Sequence, residues 1–72
     1  MIQKYTPANP YLVVGDRVRL VYMSDDPYPI PPRSEGVVTQ LALVQEQLQV
    51  SVKWDSGRTL GLIDPLDRYE KI

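Results

Sequence analysis

VSVKWDSGRTLGLI, residues 50–63, has the clearest secondary-structure pattern in the sequence. Its first half alternates apolar and polar side chains, with Val50, Val52 and Trp54 at every second position. A period of two, with β-branched and aromatic residues at the apolar positions, is typical of a half-buried strand. The next three residues, DSG, provide the turn, since glycine reaches positive φ without strain and aspartate can hydrogen-bond its own backbone. The stretch therefore predicts a β-hairpin that reverses at residues 55–57.

Residues 17–22, RVRLVY, carry a second strand pattern. Val18, Leu20 and Tyr22 fall on one face and the two arginines on the other, as in an antiparallel strand with one dry and one wet face. Residues 15–16, Gly-Asp, precede it as a turn. We expect this segment to be the first strand of the sheet.

Residues 37–52 are open to two interpretations. Apolar side chains stand at both parities over residues 37–43, as expected where a strand curls inside a closed barrel. Residues 40–49 also fit helical spacing and contain good helix formers. The β-branched flanks are too near each other for a packed helix, so we predict strand, turn and strand, with the turn near residues 44–47. A further turn at 64–67 and a last strand at 68–72, with Tyr69 facing inward, complete the pattern.

A proline-rich stretch separates the first strand from the second. Residues 24–35 contain four of the seven prolines. Proline lacks an amide donor and fixes φ, so this stretch is predicted to be a long loop held stiff in extended or polyproline II geometry. Residues 1–13 include two more prolines and little periodicity. We expect an extended arm there and the folded domain over residues 14–72.

Composition limits the chemistry of the chain. Among 72 residues there is neither cysteine nor histidine, which removes thiolate zinc sites, Ser-His-Asp and Cys-His nucleophiles and the usual general base. We expect no enzyme and no cofactor. The net charge of -1 gives no general attraction to nucleic acid or to an anionic membrane. Because no apolar run has the length of a signal peptide or a membrane span, we expect a cytoplasmic location.

The predicted elements follow the order of SH3-like barrels. There are five short strands, with a long loop after the first, hairpins between the second, third and fourth, and one helical turn before the fifth. We therefore predict an all-β fold, a single small SH3-like five-stranded barrel with a long proline-rich loop after the first strand. The chain also resembles a small domain family of unknown function found in bacterial and phage genomes. The motifs that carry this resemblance are GDRVRL at 15–20, MSDDPY at 23–28, Pro32 with GVV at 36–38, VKWDSG at 52–57 and LGLI at 60–63. The resemblance implies an SH3-like barrel of phage or mobile-element origin, and it implies no activity or catalytic residue.

The proline-rich loop is the first candidate for a binding site. It joins two carboxylates, an aromatic ring and stiff prolines, which lowers the ordering cost of binding a protein partner. The alternative is a rigid lid over one end of the barrel, with Tyr28 and Ile30 tucked in. The predicted partner contacts are Tyr22, Asp25, Asp26, Tyr28, Pro29, Arg33 and Arg58.

A basic strand face is the alternative candidate, as an accessory nucleic-acid-binding surface. Its residues are Arg17, Arg19, Lys53 and Arg58. This face lacks the interleaved aromatic rings of a stacking platform, and an ordinary solvated face paired with Asp16, Asp55 and Glu70 is the favoured interpretation. Two further expectations concern partners. A phage-encoded inhibitor of a host protein would use the loop, and the unpaired edges of a small sheet allow either a monomer or a homodimer.

Overall fold

The computed structural model describes residues 12–23, 27–45, 47–64 and 66–72. Within these residues the chain forms five β-strands and no helix. The strands are β1 (Arg17–Tyr22), β2 (Glu35–Val44), β3 (Gln47–Trp54), β4 (Leu62–Asp64) and β5 (Arg68–Lys71). They form one antiparallel sheet in the order β4-β3-β2-β1-β5. The prediction of an all-β domain with five strands is confirmed.

The sheet is open, so the predicted closure into a barrel is wrong. β4 and β5 are its two edges, and no ladder joins them in the described part of the chain. The physical reason lies at β4. The Ile63 amide donates to Asp67 Oδ2 at 2.8 Å, and the Asp67 amide donates to the Ile63 carbonyl at 2.8 Å. Because Asp67 occupies these outward-facing groups, β4 has no donor or acceptor left at Ile63 for another strand.

Two register shifts change which side chains face the core. In β2, Val38 pairs with Val52 but Gln40 pairs with Ser51, so Thr39 is the extra residue of a bulge. The bulge explains the apolar residues at both parities of β2, which the sequence suggested came from barrel closure. A second shift follows Leu20 in β1. It leaves Tyr22 57% exposed, so the prediction that Tyr22 shares a face with Val18 and Leu20 is wrong.

Both predicted hairpin turns are confirmed. Val44 pairs with Gln47 across a two-residue turn, and Gln45 has the positive φ of 49° that such turns require. In the second hairpin the Trp54 amide donates to the Arg58 carbonyl at 2.8 Å across the DSG turn, and Gly57 has φ of 96°. Residues 40–49 are therefore strand, turn and strand rather than helix.

Trp54 is the centre of the core. It is 1% exposed, and its indole N–H donates to the Leu60 carbonyl at 3.0 Å. Tyr69 faces inward as predicted, and its hydroxyl donates to the buried Asp64 carboxylate at 2.8 Å. The predicted N-terminal arm lies outside the described residues except for its last two, of which Leu12 is buried against the core. The described residues contain no helix long and apolar enough to cross a membrane.

Candidate functional site

Arg58 ties the proline-rich loop to the end of the β3–β4 hairpin. It follows the DSG turn directly, and its guanidinium is held above the loop by that turn. Its Nη2 donates to the Tyr28 carbonyl at 2.6 Å and its Nη1 to the Pro29 carbonyl at 3.4 Å. Only arginine among the side chains offers a planar fork that reaches two successive carbonyls in this way. Of the predicted partner contacts, the structure thus brings together Tyr28, Pro29 and Arg58, which we call the Tyr28 surface.

The loop has one residue anchored in the core and one directed to solvent. Ile30 is 2% exposed and belongs to the core, whereas Tyr28 is 77% exposed. The lid interpretation placed both side chains inward, and it is wrong for Tyr28. Arg58 holds the backbone at residues 28–29 by two hydrogen bonds, and the buried Ile30 side chain anchors the next residue in the core. The Tyr28 side chain therefore extends from a backbone that is held on both sides. An ordered backbone lowers the entropy that a partner must remove on binding.

The far end of the loop is fixed against β1. The Arg33 amide donates to the Leu20 carbonyl, and the Leu20 amide donates to the Ser34 carbonyl, both at 2.8 Å. These bonds hold Arg33 at a φ of 71°, in the left-handed region that costs an L side chain about 1–2 kcal/mol. A bulky residue held there against its preference marks a position that the surrounding structure determines. Arg33 is exposed, so its side chain is available at the surface.

Two of the remaining predicted contacts, Tyr22 and Arg33, belong to β1 or are hydrogen-bonded to it. Tyr22 is the last residue of β1 and is in register with Arg68 of β5. In the sheet order, β5 is the edge strand at the other end from β4. Asp25 and Asp26 lie outside the described residues. The five described residues of the predicted set therefore divide into the Tyr28 surface and two residues, Tyr22 and Arg33, along β1.

The predicted basic face is a network of ion pairs. Arg17 binds Asp55 through both terminal nitrogens, at 2.6 and 3.2 Å, and also contacts Glu35 at 3.3 Å. Arg19 contacts Glu35 at 3.2 Å and Glu70 at 3.9 Å. The hydrogen bonds that Arg17 donates to Asp55, and then the one it donates to Glu35, raise the pKa of Arg17 above its usual value. The two arginine charges are thus matched by carboxylates, as the solvated-face interpretation expected.

Glu35 is the residue of this network that the sequence did not reveal. It is the first residue of β2 and lies opposite Arg19 in the β1–β2 register. Its contacts with both arginines depend on that register, for which a single sequence gives no signal. Lys53 and Arg58, the other members of the predicted face, are exposed and make no ion pair with any described residue.

The ion pairs predict how stability depends on pH. The hydrogen bonds from Arg17 hold the pKa of Asp55 below its usual value, and the amide of Val13, followed by Lys71, does the same for the pKa of Asp16. A carboxylate whose pKa is lower when folded stabilises the fold above its unfolded pKa of about 4, and this contribution is lost as the pH falls through the folded pKa.

We therefore expect Asp55→Asn to be less stable than the parent at neutral pH, and the difference to shrink as the pH falls below about 4. Urea unfolding of both proteins at a series of pH values measures this difference. A difference that stays constant down to low pH would show that the Asp55 carboxylate is not stabilised by Arg17.

These features define a class of protein: an all-β domain of one open antiparallel sheet, with a surface segment bound by Arg58 and charged residues paired across the strands. Among the described residues there is no group of three or more aspartate or glutamate side chains placed to hold a metal ion. The chain belongs to the family described as a domain of unknown function (DUF4314), whose model matches residues 9–72. The resemblance to a family of unknown function is thereby confirmed. No curated protein and no solved structure matches the chain.

Proposed function

We propose that this domain is a small non-catalytic protein-binding module whose partner contacts the Tyr28 surface. One observation carries the proposal: a tyrosine that is 77% exposed stands on a backbone fixed by Arg58 and by the buried Ile30. Tyrosine and arginine are the side chains that most often dominate the binding energy of protein interfaces. A tyrosine has only two side-chain torsions to order, so it contributes contact area at a low entropic cost.

The strand order supports an SH3-like fold as part of the same proposal. The order β4-β3-β2-β1-β5, with the longest connection between β1 and β2, is the arrangement expected for such a domain. In SH3-like domains the loop after the first strand commonly flanks the ligand groove, and Tyr28 and Pro29 belong to this loop. The motif resemblance supports a phage or mobile-element origin. An inhibitor of a host protein would use the same surface.

The ion pairs disfavour the nucleic-acid alternative. Binding to phosphates depends on cations whose charge is available to replace counterions. Arg17 and Arg19 each face carboxylates, which leaves Lys53 and Arg58 of the predicted face. Arg58 in turn donates to two loop carbonyls. The geometry therefore favours a protein partner.

Capture of partners from a nuclease-treated lysate of the natural host tests the proposal, at about 50 mM and about 200 mM salt. The parent and Lys53→Ala are expected to retain a common protein that Tyr28→Ala loses at both salt concentrations. Arg58→Lys keeps the positive charge but cannot bridge two carbonyls, so we expect it to weaken retention as well. The free energy of unfolding of Tyr28→Ala should lie within about 0.5 kcal/mol of that of the parent, because the side chain is exposed.

Two outcomes would contradict the proposal. One is retention of the same protein by Tyr28→Ala. The other is recovery, without nuclease, of nucleic acid that salt releases and that Lys53→Ala fails to bind, which would move the working surface to the basic face.

A further inference from the structure

The outer half of β2 is a sheet edge that the rest of the described chain leaves open. β1 pairs with β2 only at residues 35–37, and hydrogen bonds from Gly15 and to Asp16 extend the contact to Val38. β3 continues beside β2 as far as Val44. Among the described residues, the segment 40–44 therefore has a neighbouring strand on one side only.

The register assigns the backbone groups along this edge. The Leu60 amide donates to the Val52 carbonyl, so Val52, Val50 and Leu48 direct their backbone groups towards β4. The residues between them, Gln49 and Ser51, direct their backbone groups towards β2, where their partners are Ala42 and Gln40. Ala42 pairs with Gln49 and so faces β3, which leaves the amides and carbonyls of Leu41 and Leu43 pointing outward. No described residue forms a hydrogen bond with these four groups.

The other two edges are protected, and this one is not. Asp67 occupies the outward amide and carbonyl of Ile63 in β4. β5 carries three charged residues in its four positions. By contrast, no charge and no proline occurs from Gly36 to Gln45, and Leu43 is 68% exposed. Charge, proline and capping are the usual means by which proteins prevent edge-to-edge pairing.

We propose that two copies of this chain pair through the outer half of β2, antiparallel, about a two-fold axis at Ala42. In this register Leu41 of each copy lies opposite Leu43 of the other, and each such pair exchanges both backbone hydrogen bonds. Antiparallel pairing of a strand with itself is self-complementary by symmetry. The pairing extends one sheet across both copies.

The side chains fit this register. Residues at the axis form a non-hydrogen-bonded pair, in which the two Cα atoms lie only about 4.5 Å apart, and Ala42 is small enough for that approach. Leu41 and Leu43 lie on the face of the core residues, since their partners in β3 are Val50 and Leu48. Pairing brings the leucines of both copies together and covers the exposed Leu43. Because the segment is uncharged, no like charges meet.

We prefer a second copy to an unrelated peptide because an antiparallel strand pairs with itself about a two-fold axis, which places the small Ala42 of both copies at the position of closest approach. An unrelated peptide could bind the same edge with any extended backbone, and its binding would not explain why Ala42 stands at that position. The interface contains no residue of the Tyr28 surface, so the dimer and the proposed function can be overturned separately.

Sedimentation of the full chain over a concentration range reaching about 0.1 mM tests the dimer. The parent is expected to change from 8.2 kDa to twice that mass as the concentration rises. Leu43→Lys places a charge on the edge and should raise the dimer dissociation constant at least about tenfold. Leu66→Lys is the matched control, since Leu66 is also exposed but lies outside β2. It should dimerise like the parent.

A cysteine substitution tests the register independently, because the chain contains no cysteine. Ala42→Cys should form a disulfide-linked dimer on oxidation, since its Cα would lie within disulfide distance of its symmetry mate. Gln49→Cys, on the neighbouring strand, should not. A parent that stays monomeric at the highest concentration, or a dimer unchanged by Leu43→Lys, would overturn the proposal. Crosslinking through Gln49→Cys in place of Ala42→Cys would do the same.

Discussion

Replacing Trp54 by alanine is expected to lower the free energy of unfolding by about 3–5 kcal/mol. Trp54 is the largest fully buried side chain, and its removal leaves a cavity in a core of few residues. The Leu60 carbonyl would also lose the indole donor that now lies 3.0 Å away. Urea unfolding followed by circular dichroism measures the change, because the substitution removes the only tryptophan.

A domain of this size has little stability to lose, so Trp54→Ala can unfold it entirely. Trp54→Phe keeps most of the ring volume and removes the hydrogen bond to Leu60. We expect it to fold and to be about 1–3 kcal/mol less stable than the parent. If Trp54→Ala unfolded at the urea concentration of the parent, the indole would not be the centre of the core.

Replacing Gly36 by alanine is expected to destabilise the fold by about 3 kcal/mol, at the upper end of the range for overpacking. A methyl group at this position would lie 2.7 Å from the Lys53 carbonyl oxygen and 3.0 Å from the Trp54 Cα. Both are backbone atoms of β3, directly opposite in the register. The strands would have to separate at the point where Trp54 enters the core.

Gly61→Ala is the matched control for this substitution. Its methyl group would approach only the Val50 carbonyl, at 3.3 Å, a contact that a small shift relieves. Urea unfolding of both variants is therefore expected to show a much larger loss for Gly36→Ala. Equal losses would indicate that the cost comes from glycine replacement in general rather than from the close approach of β2 and β3.

The local patterns of the sequence were sufficient to predict the number of strands and both hairpin turns, but not that β2 begins at Glu35 or that β4 spans Leu62–Asp64. RVRLVY predicted β1 with its observed bounds, because alternation directly reflects which face of a strand is buried. The DSG turn followed from glycine at the position that needs positive φ. The register shifts could not be predicted, since apolar residues at both parities of β2 fit a bulge at Thr39 as well as they fit barrel closure.

Closure of the sheet was also beyond the sequence. It depends on whether the edge groups of β4 are available, and Asp67 occupies those of Ile63 through one side-chain and one backbone hydrogen bond. In the candidate site, the sequence identified Tyr28, Pro29 and Arg58 but also grouped Tyr22 with them. Side-chain directions in an irregular loop follow no period, so the outward Tyr28 and inward Ile30 could not be distinguished.

Photo-crosslinking from position 28 tests whether a host protein contacts the Tyr28 surface. Tyr28 is replaced by a photoreactive phenylalanine derivative, and the domain is irradiated in a lysate of its natural host, with the same substitution at exposed Leu66 as the control. We predict a crosslink to one host protein from position 28 and none to that protein from position 66. The absence of a protein crosslink from position 28, or the same product from both positions, would contradict the assignment of the Tyr28 surface as a protein-binding site.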